Sequence, residues 1–259
     1  MEDLPKNEIP GIILIISCNK HKETRLAKYT LSKTEYNNWK VFIIIGNPFL
    51  NNTYEINENI ITIKCEDSYI HLMKKVALSM KIVTQLYKIK YGILRCGDDL
   101  KFNENILDYF TKSINSSYNP NYLGKYANPN YNKQALKRID YFMPNYFYTH
   151  QSDVLDPLNG LQHIQIPALL KLNEVPNILY TGGVIIYLSA NSCNTIINEM
   201  EQVNWNVFNY SKTFGFTYII EDIGIAYALY KNNIFPDNCE LYSDIPNANV
   251  IGFHTNEYK

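Results

Sequence analysis

Two acidic pairs are the residues best suited to chemistry. Asp98-Asp99, preceded by Gly97, directly follows Tyr91-Gly92-Ile93-Leu94-Arg95-Cys96, which reads as a buried strand. Two carboxylates at a strand's mouth repel each other and lose hydration, and a divalent cation relieves both penalties. Their hard oxygens suit magnesium or manganese better than zinc. The same residues also fit a plain turn that Asp98 starts, with Asp99 capping the next segment. Glu221-Asp222 opens a helical stretch, where acidic side chains complement the helix dipole. As chemistry, one of them is a general base that takes a proton from an attacking hydroxyl. His254 ends Val250-Ile251-Gly252-Phe253-His254 and reads as a structural imidazole or a ligand. Lys75 and Arg25 are placed either to face phosphates or to be solvated helix residues.

The elements that must position these groups alternate in type. Ile12-Ile13-Leu14-Ile15-Ile16, Val41-Phe42-Ile43-Ile44-Ile45 and Ile60-Ile61-Thr62-Ile63-Lys64-Cys65 are short runs rich in β-branched residues, the pattern of buried strands. Asn19 is expected to cap a helix reaching about Leu31. Met73, Val76, Ala77, Met80, Val83 and Tyr87 recur at helical spacing. Residues 111 to 160 are rich in Asn, Tyr and Pro, show little periodicity, and are expected to form loops around an acceptor surface. Val184-Ile185-Ile186-Tyr187-Leu188 reads as a strand, Ser189 as the cap of a helix towards Met200, and Glu221 as the start of a last helix to about Tyr230. Such alternation predicts an α/β fold with a mainly parallel sheet covered on both faces. Ligands in such sheets sit beyond the carboxyl ends of the strands, which singles out Ser17 to Lys20, Gly46 to Pro48, Glu66 to Ser68 and Gly97 to Asp99.

Composition excludes several classes. The chain has 259 residues, 24 basic against 25 acidic, and a formal net charge of -1. Nothing in that balance is a footprint for nucleic acid or an anionic membrane. A hydrophobic fraction of 46% argues against disorder. Ile12 to Ile16 is far short of the roughly 20 apolar residues of a membrane helix, and Glu2, Asp3 and Glu8 precede it where a secretory signal is positive. The five cysteines are scattered and lack CxxC spacing, as expected of a reduced cytosolic protein. No GxxxxGK[ST], GxGxxG after the first strand, GxSxG, HExxH or EF-hand pattern occurs.

Taken in order, the motifs resemble the β-1,3-glycosyltransferase family, which includes galactosyl- and N-acetylglucosaminyltransferases and, more distantly, the fringe enzymes. The family's strand, polar turn and Arg-containing helix are similar to Ile13 through Leu31 with Arg25. Its acidic–Ser/Thr–Tyr–x–x–Leu–x–x–Lys tract resembles Asp67-Ser68-Tyr69-Ile70-His71-Leu72-Met73-Lys74-Lys75. Its Lys/Arg–x–Asp–Asp–Asp stretch resembles Arg95-Cys96-Gly97-Asp98-Asp99, with Gly97 in place of the first Asp. Tyr122-Leu123-Gly124-Lys125 and the segment from Tyr180-Thr181-Gly182-Gly183 to Ser189 come next. Glu221-Asp222-Ile223-Gly224, with Ala226 for a later Gly, and Phe253-His254 complete the series, which spans about residues 12 to 254.

The resemblance implies a GT-A-like α/β/α sandwich whose central mixed sheet is mainly parallel, in a single domain. Residues 11–103 would form the nucleotide-sugar half and 104–259 the acceptor and catalytic half. It implies an inverting transfer from a nucleotide-sugar donor, chiefly a UDP-sugar, to a glycan or glycoconjugate hydroxyl with a β-1,3 linkage, assisted by manganese or magnesium. Asp99 would hold the metal with His254 as second protein ligand, and Asp222 would be the catalytic base with Glu221 as its neighbour or alternate. Ser17, Arg25, Asp67 and Lys75 would line the donor pocket. Asp98 would face ribose or sugar, and Gly182 and Gly183 would let backbone approach the donor. The membrane anchor of secretory-pathway relatives is missing, so a soluble, cytoplasmic enzyme of viral or microbial type is expected. Two other classes remain: a carbohydrate- or nucleotide-sugar-binding protein that kept the fold and lost the chemistry, and an α/β hydrolase or phosphatase using Asp98 and Asp99.

Overall fold

A computed structural model describes residues 6–29, 31–116, 118–127, 151–161, 178–203, 205, 218, 220–247 and 249–254. Its centre is a nine-stranded mixed sheet. The strands are β1 (Glu8–Ile16), β2 (Glu35–Tyr36), β3 (Trp39–Gly46), β4 (Tyr54–Asn57), β5 (Ile60–Ile63), β6 (Lys88–Gly97), β8 (Tyr122–Tyr126), β9 (Thr181–Ser189) and β10 (Asp237–Asn238). They lie in the order β10-β8-β9-β6-β1-β3-β5-β4, with β2 paired to β3. A smaller sheet joins β7 (Leu100–Phe102), β11 (Tyr242–Ser243) and β12 (Gly252–His254) in the order β11-β12-β7.

The apolar runs explain why the middle of the sheet is covered on both sides. Ile12, Leu14 and Ile16 enter one core, while Ile13 and Ile15 enter the other, and all five are buried. The first core packs helix α1 (Leu72–Leu86), helix α3 (Ala190–Met200) and helix α4 (Glu221–Tyr230); the second packs helix α2 (Glu104–Ser116). Helix α4 is buried on nearly all sides from Ile223 to Leu229, so it is a central helix and not an amphipathic surface one. Among the described residues no helix is long and apolar enough to cross a membrane.

Three expectations need correction. The block β6-β1-β3-β5 and the short pair β10-β8 are parallel; β9 runs antiparallel to both β6 and β8, and β2 and β4 pair antiparallel with β3 and β5. Local apolar runs identify a buried strand without revealing its direction, which is set by the path of the chain between strands. In place of a helix from Asn19 to Leu31, Asn19–His21 is a 3-10 turn, Lys22–Leu26 a π turn and Ala27–Tyr29 one short α turn. Neither Cys18 nor His21 supplies a side-chain cap there. Finally, α2 runs through 111–116, because Leu107, Thr111 and Ile114 are buried at spacings of four and three. Residues 128–150 of the expected acceptor loop lie outside the described residues.

Candidate active site

The carboxyl ends of β1, β5 and β6, the start of β9 and the N-terminus of α4 meet around one cavity of about 340 Å³. Antiparallel β9 begins where β6 ends, which brings Gly183 beside residues of the β1 and β6 loops. Asp67 and Lys75 brace this floor. Asp67 accepts from the Gly46 N–H at 2.7 Å and the Asn19 N–H at 2.6 Å, and also pairs with the Lys75 ammonium. Lys75, 1% exposed, donates as well to the Ser17 carbonyl at 2.9 Å. Both residues line the cavity, but their charged atoms join the ends of β1, β3 and β5 to α1. Removing either charge would strand the other in a buried setting, typically at a cost of about 3–5 kcal/mol.

Asp98 is the centre of a second network. Its Oδ2 accepts from Ser17 Oγ at 2.6 Å and faces His21 Nδ1 at 2.9 Å, and Oδ1 accepts from Arg25 Nη1 at 2.9 Å. Burial opposes its ionisation, but the hydrogen bonds from His21 and Ser17, the His21 charge and the hydrogen bond from Arg25 hold the carboxyl below its usual range. These three residues already occupy both oxygens of the carboxylate expected to face ribose or sugar. His21 in turn is raised to about 9, first by its bond to Asp98 and then by Cys18. It is therefore an imidazolium at neutral pH. A folded-state value above the unfolded 6.5 adds stability that is complete below about pH 6.5 and lost as pH rises through about 9. The side chain is 27% exposed, which screens the effect to on the order of 1–3 kcal/mol. Urea denaturation should show wild-type stability falling from pH 6.5 to 9 more steeply than that of His21→Gln; parallel curves would refute this account.

Asp99 and His254 are 155 residues apart in sequence, yet Asp99 Oδ2 lies 3.0 Å from His254 Nε2. The antiparallel register of β7 and β12 makes the contact, since His254 pairs with Leu100, the residue after Asp99. Asp244 Oδ1 stands 3.4 Å from the other ring nitrogen. A neutral imidazole has one N–H, so between two carboxylates one nitrogen presents a lone pair unless the ring takes a proton or a cation enters. Cis ligands of an octahedral ion with bonds of about 2.1 Å are about 3.0 Å apart, so the pair fits manganese or magnesium as two of its ligands. Among the described residues no group of three or more His, Cys, Asp or Glu forms a fuller metal cage.

Gly97 matters to this pair. A Cβ there would stand 2.8 Å from Asp99 Oδ1, the mobile end of a side chain, so Asp99 would have to rotate. Gly97→Ala should therefore weaken manganese binding by about tenfold without unfolding the protein, an effect in the range of disturbed ligand orientation. Calorimetric titration of manganese into both proteins checks this, and equal affinities would contradict it.

Across the cavity, Glu221 and Asp222 form the first turn of α4. Glu221 is buried, and its carboxyl is pushed up to about 7 by burial, with Arg95 opposing the rise and Asp222 adding to it. Asp222, half-buried, is also raised by burial, against backbone hydrogen bonds and the Arg95 charge. Gly183 fits here because a Cβ would lie 3.1 Å from Glu221 Oε2 and 3.3 Å from Asp222 Cβ.

The cavity thus gathers Ser17, Arg25, Asp67, Lys75, Asp98, Asp99, Gly183, Glu221 and Asp222, with His254 attached through Asp99. Gly182 is not on its wall: a Cβ at 182 would meet the Tyr242 hydroxyl at 2.5 Å, so that glycine makes room for a tyrosine. His21 and Arg95 are lining residues that sequence reasoning does not single out. His21 follows β1 one residue beyond the Ser17 to Lys20 segment marked for ligands, so the signal stops just short of it. Arg95 sits inside an apolar strand, where only the tertiary fold gives its charge a partner. No known protein family matches the chain, and no curated protein shows significant similarity to it.

Proposed function

We propose that the chain is an inverting, metal-dependent glycosyltransferase of GT-A-like α/β/α architecture, which moves a sugar from a nucleotide donor, chiefly a UDP-sugar, to an acceptor hydroxyl. The observation that carries this reading is the meeting of Asp99 and His254 at 3.0 Å on the cavity that Asp222 also lines. Ordered motif resemblance supports it, and the β-1,3 linkage and glycan acceptor rest on that resemblance. Asp222 takes the acceptor's proton as its oxygen attacks the anomeric carbon, and a carboxyl raised by burial is the better base for that task. The nucleoside diphosphate leaves on the opposite side with growing negative charge. Arg25, 3.9 Å from Asp99, places a fixed positive charge beside that end of the cavity. Asp99 and His254 would hold manganese or magnesium, which would supply Lewis-acid stabilisation of the departing charge. Ser17 and His21 keep Asp98, and with it the Asp98-Asp99 turn, in one place.

The test is a thermal-shift screen of nucleotide sugars with and without manganese. A donor at a hundred times its dissociation constant stabilises by about 2.7 kcal/mol, and the stabilisation should require the metal. Absence of binding and of UDP release across a broad donor panel would sink the proposal. Gly97 favours a second reading, a carbohydrate- or nucleotide-sugar-binding protein without chemistry, since it removes a carboxylate from the donor side. That protein would bind donor equally with and without manganese, and Asp222→Asn would change nothing.

A further inference from the structure

Arg95 is a charged residue at a position where the strand pattern calls for an aliphatic one. Its neighbours Ile93 and Leu94 point into opposite cores, and alternation along β6 turns Arg95 towards the face that carries α4. Its side chain is only 5% exposed. Nη2 donates to Glu221 Oε2 at 2.9 Å, and Nη1 donates to the Gly183 carbonyl. Gly183 in turn packs directly against Asp222, since a Cβ at 183 would stand 3.3 Å from Asp222 Cβ. One glycine is therefore held at its carbonyl by Arg95 while its Cα side abuts Glu221 and Asp222. Arg95 Nε and Glu221 Oε1 are buried without hydrogen-bond partners among the described residues. A pair selected for stability alone would be bidentate or replaced by apolar packing, which is often neutral or stabilising.

We propose that Arg95 is a positioning residue for Asp222, acting through the Gly183 backbone and the Glu221 side chain; this rests on the glycosyltransferase reading above. The hydrogen bonds of Arg95 go to these two neighbours of Asp222. The ionisable groups around the pair are Arg95 from β6, Glu221 and Asp222 from α4, the buried Tyr122 phenol from β8, Asp98 and Asp99 after β6, and Lys75 from α1. Arg95 is the cation bonded directly to Glu221, so its loss leaves the buried Glu221 carboxyl and the half-buried Asp222 carboxyl without that opposing charge.

Arg95→Gln and Arg95→Lys decide the matter. Arg95→Gln should lower kcat by about tenfold or more with UDP affinity held within about twofold, and should move the acid limb of the rate profile upward by about one pH unit. Arg95→Lys keeps the charge and should restore the limb and part of kcat. An unmoved acid limb, or UDP affinity that falls in step with kcat, overturns the proposal. If wild-type protein turns over no donor, the glycosyltransferase reading fails by itself, and urea denaturation from pH 5 to 8 judges Arg95 independently. Ionisation of the two carboxyls should then destabilise Arg95→Gln more steeply with rising pH than wild type, and parallel curves overturn the inference. Should Arg95→Gln not fold, Arg95→Lys is judged alone: its kcat should fall below wild type with the acid limb in place and UDP affinity kept, and a wild-type kcat overturns the proposal.

Discussion

Asp222→Asn protein is expected to bind UDP as tightly as wild type and to turn over about 10²–10⁴-fold more slowly, the range spanned by general-base catalysis. The amide keeps the size of the carboxylate and leaves α4 in place, because Asp222 sits in a first turn whose neighbours Ile223 and Ile225 are anchored in the core. The loss is that of a proton acceptor on the cavity wall. Since that carboxyl is raised by burial, wild-type turnover should fall as pH drops through a value above the ordinary aspartate range. Initial rates between pH 4 and 8, with UDP affinity measured in parallel, check both points. A variant that turns over at the wild-type rate would remove Asp222 from the chemistry. One that loses nucleotide binding to the same degree as rate would make it a structural residue.

The second large effect concerns the metal. Asp99→Asn should weaken manganese binding by more than about 100-fold, since disturbing a group that merely orients a ligand already costs about 10–100-fold. His254→Ala should lose affinity in the same direction, and the two changes combined should cost little more than either one. That non-additivity is the signature of residues sharing one ion. Manganese binding followed by paramagnetic resonance reads this without any need for turnover. Full additivity, or wild-type affinity in both variants, would mean that the 3.0 Å contact is only an ion pair between a carboxylate and an imidazole.

Several elements are legible from local pattern. The runs Ile12 to Ile16, Val41 to Ile45 and Val184 to Leu188 are interior to β1, β3 and β9, and Glu221 to Tyr230 is helix α4. Ser189 caps α3 through its hydroxyl, which accepts from the Ser192 N–H at 3.1 Å. These depend on nearby hydrophobic residues and local hydrogen bonding. The segment after Asn19 is not legible in the same way, because Lys22, Glu23 and Arg25 look like one face of a helix. Its backbone instead bends through 3-10 and π turns that present His21 and Arg25 to Asp98. Helix propensity there is overridden by contacts made some 75 residues away in sequence.

The amino-acid order alone determined that this chain is an α/β protein with buried strands, which loops end those strands, and which acidic groups sit at their mouths. Each of these depends on residues within a few positions of one another. Only the tertiary structure decided that β9 enters antiparallel, that Arg95 finds Glu221 126 positions away, and that Asp99 finds His254 across the register of β7 and β12. Such pairings carry no local periodicity. They arise because burying both faces of the sheet fixes the strand order, and a charge that cannot reach water in that arrangement must be met by whichever opposite charge the packing brings within reach.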